Sequence, residues 1–274
     1  MKESFFIKQF DNKYIGDDGA IINICDKNTV IASDSFFEDI HFKKDWMNLD
    51  EISYKASLVN ISDMIVMNST IDYAILNVGF PKNLSLKEIK LLTDGFKKAA
   101  EEYKYEIIGG DTIRNDKIAI SVTMIGTSNK PITRKAKPDE LVAFTGHLGT
   151  VARDLKVLLR GGKISKNSKF IKPVLRDNFF YKASKFITAA CDISDGLFKE
   201  LERISKISHV GYEFFQNFPK LVGCSGEEYE ILFTFPEKNL KVIQNIAKIT
   251  RTPITVFAKT KRGYFRSVCK ENHF

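Results

Sequence analysis

Five times between residues 16 and 197 a carboxylate stands beside glycine or a small residue at the end of an apolar run. The places are Gly16-Asp17-Asp18-Gly19-Ala20, Ala32-Ser33-Asp34-Ser35, Asn60-Ile61-Ser62-Asp63, Gly109-Gly110-Asp111-Thr112 and Asp192-Ile193-Ser194-Asp195-Gly196-Leu197. Carboxylate oxygens suit Mg²⁺, a hard ion that prefers oxygen ligands. Glycine lets a phosphate or a metal approach the backbone closely. Serine and threonine beside the acids add hydroxyl ligands or phosphate hydrogen bonds.

Each motif alone has a plainer reading. Asp-Asp-Gly is a common turn, and Asp111 after two glycines is ordinary loop chemistry. Ser194-Asp195 ahead of Gly196-Leu197 reads as a helix N-cap. Asp63 is the sharpest case, because it interrupts a helical stripe of Val59, Ile61, Met64 and Ile65. A buried carboxylate there needs a partner, and a metal is a good one. The familiar nucleotide motifs are missing. Gly161-Gly162-Lys163 is followed by Ile164, so it is no P-loop and reads as a helix C-cap turn. The four histidines show no metal-ligand spacing.

The chain of 274 residues is comfortable for two domains. Apolar runs at 20–24 and 29–33 predict a hairpin, and helical spacing predicts helices at 50–67 and 85–103. Strands are expected at 71–80 and 117–126. The polar stretch from Lys130-Pro131 to Lys137-Pro138-Asp139 is the expected boundary, giving domains 1–136 and 137–274. Beyond it a strand at 141–145 and a helix at 149–160 are expected. Helices near 178–188, 195–207 and 237–248 follow, with strands near 210–215, 229–235 and 254–259. Strands and helices mix without strict alternation, so the fold class is α+β.

Composition removes several classes of function. No run of 18 apolar residues exists, so no transmembrane helix is expected. The N-terminus is too polar for a signal peptide. The net charge is +8, but the lysines are scattered, which reads as a solvated surface without nucleic-acid or membrane partners. Cys25, Cys191, Cys224 and Cys269 lie far apart, so neither a disulfide nor a zinc site is expected and a cytoplasmic setting is simplest.

Taken in order, the motifs resemble those of the thiamine-monophosphate kinase family, within the larger group related to aminoimidazole ribonucleotide synthetase. The matching segments are the five above with Glu38-Asp39-Ile40-His41-Phe42, Lys55-Ala56, Pro131-Ile132-Thr133-Arg134, Thr145-Gly146-His147-Leu148-Gly149 and Gly226-Glu227-Glu228-Tyr229. The resemblance implies two α+β domains, the N-terminal one with a mixed sheet that joins its counterpart across a homodimer. It implies Mg²⁺ ligands at Asp18, Ser33, Asp34, Asp63, Asp111, Asp192 and Asp195. ATP contacts fall on Gly110, Asp111, Arg134 and Ser194, and thiamine-phosphate contacts on His41 and Glu227. Asp63, Asp111 and Arg134 are the implied catalytic set. The implied reaction is transfer of the ATP γ-phosphoryl group to thiamine monophosphate.

The chain departs from the family pattern in places. Gly19 replaces alanine, Ser33 replaces threonine, and the family's late aromatic over the substrate ring is not assigned, with Tyr264 and Phe265 the residues open to it. Rival readings are a selenophosphate synthetase-like or aminoimidazole ribonucleotide synthetase-like enzyme, a hydrogenase-maturation dehydratase, or a non-catalytic nucleotide-binding protein. The first would want a reactive cysteine in a glycine-rich loop, and the dehydratase a C-terminal cysteine tail; this chain ends Asn272-His273-Phe274.

Overall fold

A computed structural model describes residues 14, 17–24 and 27–270. Gly16, Cys25 and both chain ends lie outside the described residues, and with them the readings made there.

The first sheet has the order β1-β2-β5-β3-β4. It opens with the expected hairpin of β1 (Ala20–Ile24) and β2 (Lys27–Phe37). Next come helix α1 (Leu49–Val66), β3 (Tyr73–Phe80) and helix α2 (Leu86–Tyr103). Ser85 and Glu88 start α2 with reciprocal hydrogen bonds between side chain and backbone. The crossover ends in β4 (Glu106–Arg114), parallel to β3. β5 (Ala119–Ser128) alternates buried and half-buried residues throughout, as a strand with one covered face must. β4 is a strand where only loop chemistry was expected at Gly109-Gly110-Asp111. Gly110 has a φ of +145°, and a Cβ there would meet the Leu76 carbonyl.

The second sheet is antiparallel, in the order β7-β9-β6-β10-β8. Its strands are β6 (Glu140–Thr145), β7 (Ala189–Asp192), β8 (Val210–Phe214), β9 (Ile231–Pro236) and β10 (Ile254–Arg262). Its helices are α3 (Thr150–Leu159), α4 (Asp177–Ala183), α5 (Leu197–Ser208), α6 (Lys220–Gly223) and α7 (Leu240–Ile249). Gly161, at a φ of +76°, and Gly162 return bonds to the carbonyls of Leu158 and Val157, so the decoy glycines do end α3.

α1 is covered on nearly all sides, packing on β2, β5, α2 and β7. Ile61 and Met64 are fully buried in one core shared with Val122, Phe179 and Phe233. Truncating either to alanine would cost about 2–5 kcal/mol. A second cluster, with Phe144, Leu201, Ile204 and Phe257, seats α5 on the second sheet. No helix among the described residues is long and apolar enough to cross a membrane.

One expectation is overturned. Cys224 and Cys269 form a disulfide that ties the segment after β10 to the loop after α6. They stand 45 residues apart, and only the return of the chain past α6 brings them together, so local spacing gave no sign of it. Cysteine usage therefore gives no argument for a reducing compartment. Cys191 is buried and unpaired.

Candidate active site

Carboxylates from four separate pieces of chain converge. Asp18 stands in the bend before β1, Asp34 on β2, Asp63 near the end of α1, and Asp192 is the last residue of β7. Oxygens of Asp18, Asp63 and Asp192 lie within 4.8 Å of one another. Asp34 lies against Asp63, and burial raises the pKa of both above the usual carboxylate range. Ser62 Oγ donates to Asp192 Oδ2 at 2.5 Å and aims that carboxylate at α1.

Burial drives the electrostatics. Desolvation pushes Asp18 up to about 7, with Arg134 opposing and Glu200 and Asp17 adding to the rise. Asp63 is pushed well above the usual range by burial first and then by the charges of Asp34, Asp192 and Asp18. Asp192 is raised by burial and Asp18, against the Ser62 bond. The Oδ2 of Asp18 has no hydrogen-bond partner among the described residues.

The donor set fits Mg²⁺. Ligand oxygens on opposite sides of an octahedral ion at about 2.1 Å stand roughly 4.2 Å apart. The three converging carboxylates match that span, and their raised affinity for protons marks a site short of positive charge.

Arg134 supplies part of that charge. The strand-like segment 131–134 runs beside β7, where Ala190 N–H donates to the Thr133 carbonyl. This sets the Arg134 guanidinium 2.5 Å from Asp18 Oδ1 and 3.7 Å from Glu200 Oε2. Asp195 instead bonds Arg203, which also pairs with Glu200. The N-cap reading of Ser194-Asp195 fails, because α5 is capped by Gly196 without a side-chain bond.

Ser194, two residues beyond Asp192, lies in the wall of a cavity of about 370 Å³ that is also lined by His41, Trp46, Phe170 and Glu227 among others. His41 stacks on Phe36, and its Nδ1 accepts the Phe37 N–H at 3.0 Å. Glu227 has a φ of +55°, and its N–H donates to the Ser194 carbonyl at 2.6 Å. Its neighbours do other work. Glu228 accepts the N–H groups of Gly149 and Val151 at the start of α3, and Glu230 pairs with Lys169 and Arg176.

Residues 16–128 match the family described as AIR synthase related protein, N-terminal domain. A thiamine-monophosphate kinase of Pyrococcus horikoshii is 32% identical over 88% of this chain and 84% of its own length. The chain belongs to the thiamine-monophosphate kinase family. The Bacillus subtilis thiamine-monophosphate kinase is 30% identical over 93% of this chain and 86% of its own. A solved structure described as AaThiL complexed with AMPPCP and TMP superposes with a TM-score of 0.87. It is 24% identical, covers 98% of this chain and 94% of its own, and shows the same fold.

Not every residue implied by the family pattern joins the acid cluster. Ser33 points to the opposite face of β2 from Asp34, as successive strand residues do, and bonds Thr123 on β5. Gly110 and Asp111 sit on β4, whose residues are all exposed. Strands β5 and β3 lie between β4 and β2, so Asp111 is roughly 14 Å from the strand of Asp34 at 4.8 Å per step. Neither stand-in for the thiamine-monophosphate kinase aromatic reaches the cavity. Tyr264 packs on His209 and Phe265 on Phe198 and Tyr212, while Trp46 and Phe170 wall the cavity instead. The change to Gly19 has a local reason: a Cβ there would stand 3.0 Å from the Ile31 carbonyl oxygen.

Sequence reasoning matched Lys55 to the family pattern without giving it a role, and passed over Glu200 and Phe170. Lys55 carried a signal, as the lone cation of a helical run whose charges are otherwise the acids Asp50, Glu51 and Asp63. Glu200 looked like half of an ordinary i,i+3 helix pair with Arg203, and the partners that bring it and Phe170 to the site, Arg134 and Lys55, are distant in sequence.

Proposed function

We propose that this chain transfers the γ-phosphoryl group of ATP to thiamine monophosphate, giving ADP and thiamine diphosphate, with Mg²⁺ held by Asp18, Asp34, Asp63 and Asp192. The observation that carries the reading is the convergence of Asp18, Asp63 and Asp192, with Ser194 just beyond Asp192 in the wall of the cavity that His41, Trp46, Phe170 and Glu227 also line. Bound there, Mg²⁺ would neutralise phosphate oxygens and so allow two anionic substrates to meet.

The residues of the chain position and compensate. Arg134 offsets the acids and offers a forked donor for ATP phosphates. Ser194, on the cavity wall near Asp195, is the proposed ATP contact on the second domain, with the division proposed at 136/137. Asp195 is the proposed outer metal ligand. His41 and Glu227 hold the acceptor. A phosphate monoester has a second pKa of about 6 and is already ionised at neutral pH, so no general base is needed. His41 Nδ1 is occupied by the Phe37 N–H and cannot serve as one without breaking that bond.

A homodimer through the first sheet belongs to the same proposal. β4 is an exposed outer strand carrying Ile107, Ile108 and Ile113, beside an apolar groove lined by Leu76, Phe96 and Ala100. Ser33, Gly110 and Asp111 then meet ATP and its metal through the assembled dimer. The test is product formation from ATP with thiamine monophosphate and a panel of other acceptors. Turnover with another phosphorylated acceptor, and none with thiamine monophosphate, would reject the substrate assignment.

A further inference from the structure

Lys55 lies in the middle of α1, and its side chain has no exposed surface. Its Nζ stands 2.6 Å from Glu227 Oε2, 4.4 Å from the centre of the Phe170 ring and 5.4 Å from that of Phe36. An ammonium buried this way is costly unless it is paired and its charge is used. The pair spans 172 residues of sequence and joins the helix of the first domain to a loop of the second.

Glu227 is held at two other points as well. Its backbone is in the left-handed region, which is unfavourable for glutamate and persists only where surroundings impose it. The Ser194 carbonyl fixes its N–H. Even so, the Glu227 side chain keeps 21% exposure, in the wall of the cavity. Eight residues further along α1 is Asp63, about 12 Å away at the rise of a helix. One rigid helix thus carries a cluster carboxylate near its C-terminal end and, about two turns earlier, the anchor of a cavity carboxylate.

We propose that Lys55 is the positioning residue for the acceptor. It sets the Glu227 carboxylate in the cavity wall, and through α1 it fixes the distance from the acceptor to the acid cluster. This rests on the reading above that Glu227 contacts the acceptor. A pair that served only folding would change stability but would not act on one substrate alone.

The test is a double-mutant cycle of Lys55→Met and Glu227→Gln, with saturation series in thiamine monophosphate and in ATP. Lys55→Met is expected to raise the acceptor KM at least tenfold, keep the ATP KM within twofold and keep kcat within threefold. The double variant should be no worse than Glu227→Gln alone, because Lys55 acts through that carboxylate. Multiplying effects, or an ATP KM that rises as much as the acceptor KM, overturn the proposal. Should Lys55→Met not fold, Lys55→Arg keeps the buried charge but moves it. It must raise the acceptor KM at least threefold, and an unchanged value overturns the proposal. Wild-type protein that does not turn over thiamine monophosphate removes the functional reading, and this inference falls with it. Normal wild-type turnover with an unselective Lys55 profile removes this inference alone.

Discussion

Ser62 Oγ donates to Asp192 Oδ2 at 2.5 Å across 130 residues of chain, so helix α1 aims a carboxylate on β7 of the second sheet. The acid cluster therefore exists only when both halves are assembled. Without a cation it concentrates negative charge that folding must tolerate.

That tension predicts a gain in stability from a loss of function. The folded state raises the Asp63 pKa, so it binds more protons than the unfolded state between the two pKa values. Stability of the metal-free protein then falls as pH rises through that window. Asp63→Asn removes the penalty. Without metal it should melt higher than wild type at pH 8, and the gap should shrink toward pH 4. Mg²⁺ should raise the wild-type Tm and leave the variant unmoved, while turnover falls at least 100-fold. Thermal melts at several pH values with and without Mg²⁺ check this, and a variant that melts lower than wild type at pH 8 counts against it.

Arg134 should behave in the opposite sense. It is buried against Asp18 and near Glu200, so Arg134→Gln leaves a buried carboxylate uncompensated. Removing one partner of a buried pair costs about 3–5 kcal/mol. In a chain of this length that lowers Tm by roughly 10 °C. Asp18→Asn in the same chain should recover part of the loss. Calorimetry of the single and double variants measures it, and strictly additive losses would mean that the two do not act as a pair.

His41→Ala should act on the acceptor alone. The ring is stacked on Phe36 at the cavity wall, and its Nδ1 is an acceptor. The expected outcome is a rise in KM for thiamine monophosphate larger than the fall in kcat. The pH–rate profile between about pH 7 and 9 should stay that of the wild type, since no base is lost. Loss of a titrating limb near the ordinary histidine value of about 6.5 would show that His41 moves a proton.

Much of this was legible in the chain, and the misses have physical causes. The β1–β2 hairpin and the two long helices α1 and α2 followed from apolar periodicity. β7 did not, because Ala189–Asp192 is four residues long and buried on both faces, leaving no alternation to read. β4 was hidden by its two glycines, which punctuate loops far more often than strands. Asp63 stood out because a carboxylate broke an apolar stripe. The Lys55–Glu227 pair, the Arg134–Asp18 pair and the Cys224–Cys269 disulfide each join distant segments, and no local pattern encodes such pairs.

Assembly is open to a direct check. Exposed Ile108 and Ile113 on β4 are expected to be covered in a homodimer. Sedimentation should give twice the 31.2 kDa chain mass. Ile108→Lys with Ile113→Glu should give the single-chain mass and lose ATP turnover, because Asp111 on the same strand then has no assembled site. A wild-type species at the single-chain mass, with full activity, would exclude this arrangement.

The central claim is that the buried acids serve phosphoryl transfer to a thiamine phosphate through Mg²⁺. Its most direct measurement follows ADP and thiamine diphosphate together while Mg²⁺ is titrated into protein, ATP and thiamine monophosphate. The account predicts one thiamine diphosphate per ADP, no product without Mg²⁺, and no ADP without acceptor. ADP released at the same rate without thiamine monophosphate, or turnover that persists without a divalent cation, would contradict it.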